Sequence, residues 1–157
     1  MKKKKFFRII AILGIAGFAI AGGIGLYMFN MPQRDVQSAR TDYSVTSTQI
    51  VNEYLDDQHA ANQIYLAADG DSKILEVTGV VSSVTEDFNG QKVVLLKQTG
   101  DPAGVSATFT SETGGSLEGI VPGQTITVKG VIRSGASYDE DLGFYLNVVL
   151  EKSAVIQ

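Results

Sequence analysis

The side chains of this sequence that could do chemistry gather in two short polar stretches. Glu86, Asp87, Phe88 and Asn89 run into Gly90 and are followed by Lys92; Tyr138, Asp139, Glu140 and Asp141 form the second. Five carboxylates in two loops could collect the several oxygens that a hard cation such as calcium takes. Their spacing matches no EF-hand-type loop, and acidic loops solvated by water explain them better. Phe88 and Tyr138 offer another chemistry, as apolar anchors inside an acidic rim or as platforms on which bases stack. His59 is the sole histidine and there is no cysteine, so a metal would find neither a thiolate nor a second imidazole. Nothing resembles a nucleophile elbow, a Ser/His/Asp order or a phosphate-cradling loop. Gly22-Gly23-Ile24-Gly25 lies within an apolar run, and Gly114-Gly115 reads as a turn. The expectation is a non-catalytic protein with no metal and no cofactor.

The elements that must hold those loops are strands. Beyond Gly70 the apolar period is two. Residues 74–84 form a β-branched run broken at Gly79, and Val128-Lys129-Gly130-Val131-Ile132 repeats the pattern. A glycine inside a strand marks a bulge or a sharp bend, so two of them suggest a sheet that coils on itself. Asn89-Gly90 is a tight-turn signal leading to a second strand, 92–98. After Asp101-Pro102-Ala103-Gly104 comes a third, with Val105, Ala107 and Phe109 on one face. Residues 113–120 link to a fourth strand, opened by Pro122-Gly123, with Ile126, Val128 and Ile132 inward. A polar loop at 134–143 leads to a fifth, 144–151, with Phe144, Leu146, Val148 and Leu150 expected on its buried face. Three strands, a short connector and two strands, with the first and fourth bent by glycine, is the plan of the OB-fold. The fold class is therefore mainly β: a five-stranded OB-fold-like Greek-key barrel.

An amphipathic helix is expected before the barrel, over 46–69. Thr46 and Gln49 fit a capping box, Val45 and Ile50 a hydrophobic staple around it, and Ile50, Val51, Tyr54, Leu55, Ala61, Ile64, Tyr65 and Ala68 form its apolar stripe. Gly70 would end it. Glu53, Asp56 and Asp57 fall mostly off the stripe and read as a solvated face. Residues 30–44 are polar, contain Pro32 and show no apolar period, so they read as a linker before a domain at 45–157.

Residues 6–29 are apolar apart from Arg8 and long enough to cross a bilayer as a helix. The basic tail 1–5 should stay cytoplasmic and place the C-terminal domain outside, making a single-pass inner-membrane protein with a periplasmic domain. Ala19-Ile20-Ala21 also resembles a small-x-small cleavage site, but apolar sequence continues past it. Gly17, Ala21 and Gly25 share one helix face and could pack a homodimer in lipid. Five of the 13 basic residues lie before position 9 and all 17 acidic residues after position 30. The remainder carries eight basic against 17 acidic groups, a formal −9, which repels phosphate backbones.

Three segments carry a resemblance: Ala60-Ala61-Asn62-Gln63-Ile64-Tyr65, Lys73-Ile74-Leu75-Glu76-Val77-Thr78-Gly79-Val80-Val81, and Gly123-Gln124-Thr125-Ile126-Thr127-Val128-Lys129-Gly130. Together they make the chain from Thr46 onward similar to the tRNA_anti-like family. The resemblance implies an OB-fold and an exported or membrane-attached protein, and it carries over no catalytic residue. Many relatives hold a lipid-attachment cysteine; here the apolar helix would replace that anchor. OB-fold ligands lie across strands two and three, between the loops joining strands one to two and four to five. The candidate face is accordingly Phe88, Asn89, Lys92, Tyr138, Asp139, Glu140 and Asp141. The expected function is a membrane-anchored binding or scaffolding module for a protein or an envelope component. A single-stranded nucleic-acid-binding domain and a cation-binding acidic-loop module are the alternatives.

Overall fold

The computed structural model describes residues 2–29, 34–69 and 71–156. The chain divides into two units, Met1–Arg34 and Asp35–Gln157. In the first, α1 (Lys2–Phe29) is one unbroken helix. Gly17, Ala21 and Gly25 lie on one exposed face of it. The side chains of residues 6–13 and 16, nine of the 24 residues of the expected membrane span, lie outside the described ones, and among the described residues no helix is long and apolar enough to cross a membrane.

The second unit is organised on β2 (Ile74–Glu86). Its first half pairs antiparallel with β5 (Thr125–Ser134), from Ile74↔Val131 to Val80↔Thr125. Its second half pairs with β3 (Lys92–Leu96), from Val81↔Leu96 to Glu86↔Lys92. Such a change of partner needs a bend, and it falls at Gly79. A Cβ there would stand 2.6 Å from Ser47 Oγ and 3.0 Å from Leu96 Cβ, so only glycine leaves room. β3 continues antiparallel to β4 (Val105–Phe109), β4 parallel to β8 (Val148–Ile156), and β8 antiparallel back to β5. The five strands close a barrel. Gly130 serves the closing seam. β8 bulges opposite it, with Lys152 at φ 52°, and a Cβ on Gly130 would meet Ser153 Oγ at 2.5 Å. Leu75, Val77, Val94, Leu96, Val105, Ala107, Phe109, Val128, Ile132 and Leu150 fill the interior. The connector between β4 and β5 is a 3-10 turn, Gly114–Leu117, with Leu117 turned inward.

The single helix expected over 46–69 is two, α2 (Ser47–Asp56) and α3 (Gln58–Tyr65). Asp57 between them is extended, and its carboxylate caps α3 by accepting from Ala60 N at 3.0 Å. Thr46 caps α2 as expected, accepting from Gln49 N at 3.1 Å. Gln49 does not complete the box; its amide donates to Glu53 Oε1 at 2.9 Å instead. The proposed terminator, Gly70, lies outside the described residues. Ile50, Val51 and Tyr54 are completely buried and plug one end of the barrel. The Tyr54 ring lies so close over Gly135 that no Cβ fits there. It stacks on Tyr65 at 6.0 Å, and Tyr65 meets Tyr43 edge-on at 5.5 Å. Burial, then the charge of Glu53, pushes the Tyr54 hydroxyl up to about 12. The Tyr65 hydroxyl, buried and donating to Glu53 Oε2 at 2.6 Å, is pushed higher still.

Two expectations are corrected. Residues 30–44 are not all linker. From Asp35 the chain belongs to the domain: Val36 is buried, and β1 (Tyr43–Thr46) runs parallel to β2, from Tyr43↔Leu75 to Thr46↔Thr78. Gln37 Nε2 donates to Lys152 O at 2.8 Å and Lys129 O at 3.2 Å, while Lys129 Nζ donates to Ala39 O at 2.6 Å and Gln37 O at 3.0 Å. These bonds strap residues 35–46 across the β5–β8 bulge. The second correction concerns the fifth strand. Phe144 and Leu146 are exposed, on a short β7 (Phe144–Leu146) that pairs with β6 (Ser137–Asp139) in a separate hairpin. The barrel strand begins only at Val148 and runs to Ile156. Asn147 makes the break, its Oδ1 accepting from Gly104 N at 2.8 Å.

Candidate functional site

The two loops singled out in the sequence sit at opposite ends of β4. The β2–β3 loop emerges where Lys92 pairs with Glu86 and Val93 with Thr108; the β6–β7 hairpin emerges where Val105 pairs with Val148. Four residues of strand separate those levels, about 13 Å. A cavity of about 300 Å³ adjoins the first loop, lined by Thr85, Glu86, Lys92, Leu117 and Glu118 among others, and takes nothing from the hairpin. Phe88, Asn89 and Lys92 are therefore one group, and Tyr138, Asp139, Glu140 and Asp141 another.

In the β2–β3 loop, Asp87 shapes the turn. Its Oδ1 accepts from Asn89 N at 2.8 Å and Gln91 N at 2.9 Å, and Gly90 takes φ 76°. Phe88 is left fully exposed at the tip. Lys92 Nζ is held by Glu86 Oε2 at 2.6 Å. In the hairpin, Asp139 has the corresponding role: Oδ1 accepts from Asp141 N and Leu142 N, each at 3.0 Å, and its carbonyl accepts from Gly143 N at 2.8 Å. Two of the five carboxylates thus build turns and a third pairs with a lysine. Among the described residues no three His, Asp or Glu side chains converge on a metal position.

The hairpin presents the larger surface. Tyr138 and Tyr145 face each other across it, ring centroids 4.9 Å apart at 59°. With Leu142, Phe144 and Leu146 they remain 39% to 61% exposed. The Tyr138–Tyr145 pair ties the two strands of the ribbon together, while the outer faces of these side chains stay in water. At its base lies a cavity of about 490 Å³, shared with α3 and the barrel, into which Asn62, Ser106, Ser134, Ser137 and Asn147 bring amides and hydroxyls. Leu66, Leu146 and Val149 supply its apolar walls. None of its lining groups titrates in water. The cavity can hydrogen-bond a neutral polar group or a peptide backbone, and it offers nothing to move a proton. Asn62, Ser106 and Asn147 were not singled out from sequence. Asn147 keeps the alternation of Phe144, Leu146 and Val148, so no break in the pattern marks it.

The cations of the domain are largely occupied. Besides Lys92, Arg133 Nε faces Glu151 Oε1 at 3.8 Å, Lys97 Nζ donates to Pro102 O at 3.4 Å, and Lys129 is taken up by the strap. That accounts for four of the seven basic residues between positions 35 and 157.

A family model described as tRNA_anti-like matches residues 1–141. No curated protein matches. Among solved structures, the crystal structure of a candidate nucleic acid-binding lipoprotein from Klebsiella pneumoniae subsp. pneumoniae MGH 78578 is similar, with a TM-score of 0.52 and 18% identity over 81% of this chain and 100% of that one. At that identity the likeness is one of fold.

Proposed function

The chain belongs to the tRNA_anti-like family, and from that premise we propose a membrane-anchored, extracytoplasmic binding module that acts without catalysis and holds a protein or an envelope component on its β6–β7 hairpin. The hairpin carries this reading. Tyr138 and Tyr145 form an aromatic pair beside Leu142 and Phe144, with Glu140 and Asp141 at the rim and a cavity at the base whose groups suit a peptide or glycan rather than an acid–base reaction. Aromatic anchors inside a polar rim are the usual composition of a protein-binding surface. The 28-residue α1, which opens with Lys2 to Lys5, supports the anchor and the outward placement of the domain. The Klebsiella neighbour is described as a lipoprotein, also a membrane-attached form.

Nucleic acid is the second reading, because that neighbour is described as a candidate nucleic-acid binder. A formal excess of ten acidic over basic groups between positions 35 and 157 weighs against it. One experiment separates the two. A photo-crosslinking phenylalanine analogue at Tyr145 is activated in intact cells, and the adducts are treated with protease, glycosidase or nuclease. Adducts that survive nuclease support the proposal; adducts that nuclease removes, or no adduct at all, overturn it. A C-terminal alkaline phosphatase fusion, active only outside the cytoplasm, tests the topology.

A further inference from the structure

The opposite flank of α3 presents a different surface. β1 pairs with β2 on one side only, and among the described residues no strand covers its outer edge. Asp42 N donates to Ile74 O at 2.8 Å. In this register Leu75 and Val77 turn their backbone groups to β5, so Tyr43 and Val45 bond β2 and the backbone groups of Ser44 and Thr46 point outward. Folded proteins protect an exposed edge with lysine, proline or a bulge. Tyr43-Ser44-Val45-Thr46 carries none of these. Instead a groove of about 520 Å³ lies between this edge and the helices, with Ala61 and Tyr65 at its floor and Ile64, 44% exposed, on its wall.

Every charged group lining that groove is acidic: Glu53, Asp56 and Asp57. Glu53 and Asp56 occupy the last turn of α2, which has no basic residue. Carboxylates there oppose the negative end of the helix dipole, where stability alone would favour lysine. A local rule broken in this way is expected at a functional surface.

We propose that this groove takes an extended basic peptide, which adds to the edge of β1 as a further strand. Its backbone bonds Ser44 and Thr46, its apolar side chains rest on Ile64 and Ala61, and alternate lysines or arginines face Asp56 and Asp57. The surface is separate from the hairpin and does not depend on it.

The test starts from the full chain in detergent and a display library of random twelve-residue peptides. The expected selection is of sequences that alternate apolar residues with lysine or arginine. The tightest of these, fluorescein-labelled, is then titrated by anisotropy. The double variant Asp56→Lys/Ile64→Lys should weaken it at least about tenfold, since like charge then faces like charge. Both positions are exposed, and lysine near the end of α2 suits the dipole, so the fold should hold; an unchanged circular dichroism spectrum verifies this. Tyr145→Ala should leave binding unchanged, which separates this proposal from the hairpin reading. In hydrogen exchange, saturating peptide should slow the amides of Ser44 and Thr46 about tenfold. A selection without basic alternating sequences, equal binding by the double variant, or unchanged exchange at Ser44 and Thr46 would each overturn the proposal.

Discussion

Gly79→Ala puts one methyl group where β2 changes partner. The backbone at Gly79 is not left-handed, so alanine meets no conformational strain. By restricting the unfolded chain it would even stabilise by about 0.4–1 kcal/mol. The obstacle is steric. The new Cβ would stand 2.6 Å from Ser47 Oγ and 3.0 Å from both Ser47 Cβ and Leu96 Cβ. The Ser47 hydroxyl can rotate away, but its Cβ cannot, because Ser47 opens α2 and is buried. Leu96 is completely buried as well. Forcing one carbon into such a contact costs about 1–3 kcal/mol. The net expectation is a loss of about 1–2 kcal/mol, or a melting temperature lower by roughly 4–8 °C for a domain of this size. Urea unfolding of the full chain in detergent, followed by tyrosine near-UV circular dichroism, measures it. The decisive comparison is a Ser47→Gly background, which removes two of the three close atoms. There Gly79→Ala should cost less than about half as much, a coupling of roughly 1 kcal/mol between the sites. If the substitution is neutral in the parent chain, or costs the same in both backgrounds, the bend at Gly79 is not set by the packing of α2 against the barrel.

Stability should fall with alkali. Tyr54 and Tyr65 both hold their protons more firmly folded than unfolded, so their contribution is complete below the ordinary value of 10.0 and is lost as pH rises towards and beyond about 12; Tyr65→Phe should flatten that decline in urea melts taken from pH 9 to 12. Gln37→Ala removes two donors from Lys129 O and Lys152 O and should cost about 1–2 kcal/mol, with faster amide exchange between residues 35 and 46. Asp57→Ala deletes the cap of α3 and should cost about 1 kcal/mol, read from the same melts.

The barrel was legible because its strands carry their signals in apolar side chains. Gly79 and Gly130 stand where a side chain would meet Ser47 or Ser153, and Asn89-Gly90 turns through a positive φ as such pairs do. What escaped was held by polar contacts. The strap buries Val36 but is fixed mainly through Gln37, Asp42 and Lys129, whose bonds reach residues far along the chain, so no periodicity betrays it. The break at Asp57 was hidden because α2 and α3 bury one continuous stripe, Tyr54 and Ala61 included. The hairpin was absorbed into the fifth strand because Phe144 and Leu146 keep the period of Val148 and Leu150. Only Asn147, tied to Gly104, shows that the first pair has left the barrel. Phe144 and Leu146, exposed in the candidate site, are therefore expected in the core from sequence alone.

The segment from Asp35 to Thr46 is stitched over the seam where the first and last parts of the sheet meet, and this makes it a mooring rather than slack rope. Tension arriving along the chain from its N-terminal side would load Val36 and then the bonds of Gln37 and Lys129 before the side chains inside the barrel. Were those stitches to part, Val36 would surface and the carbonyls of Lys129 and Lys152 would lose their donors, so the barrel would yield first at its bulge.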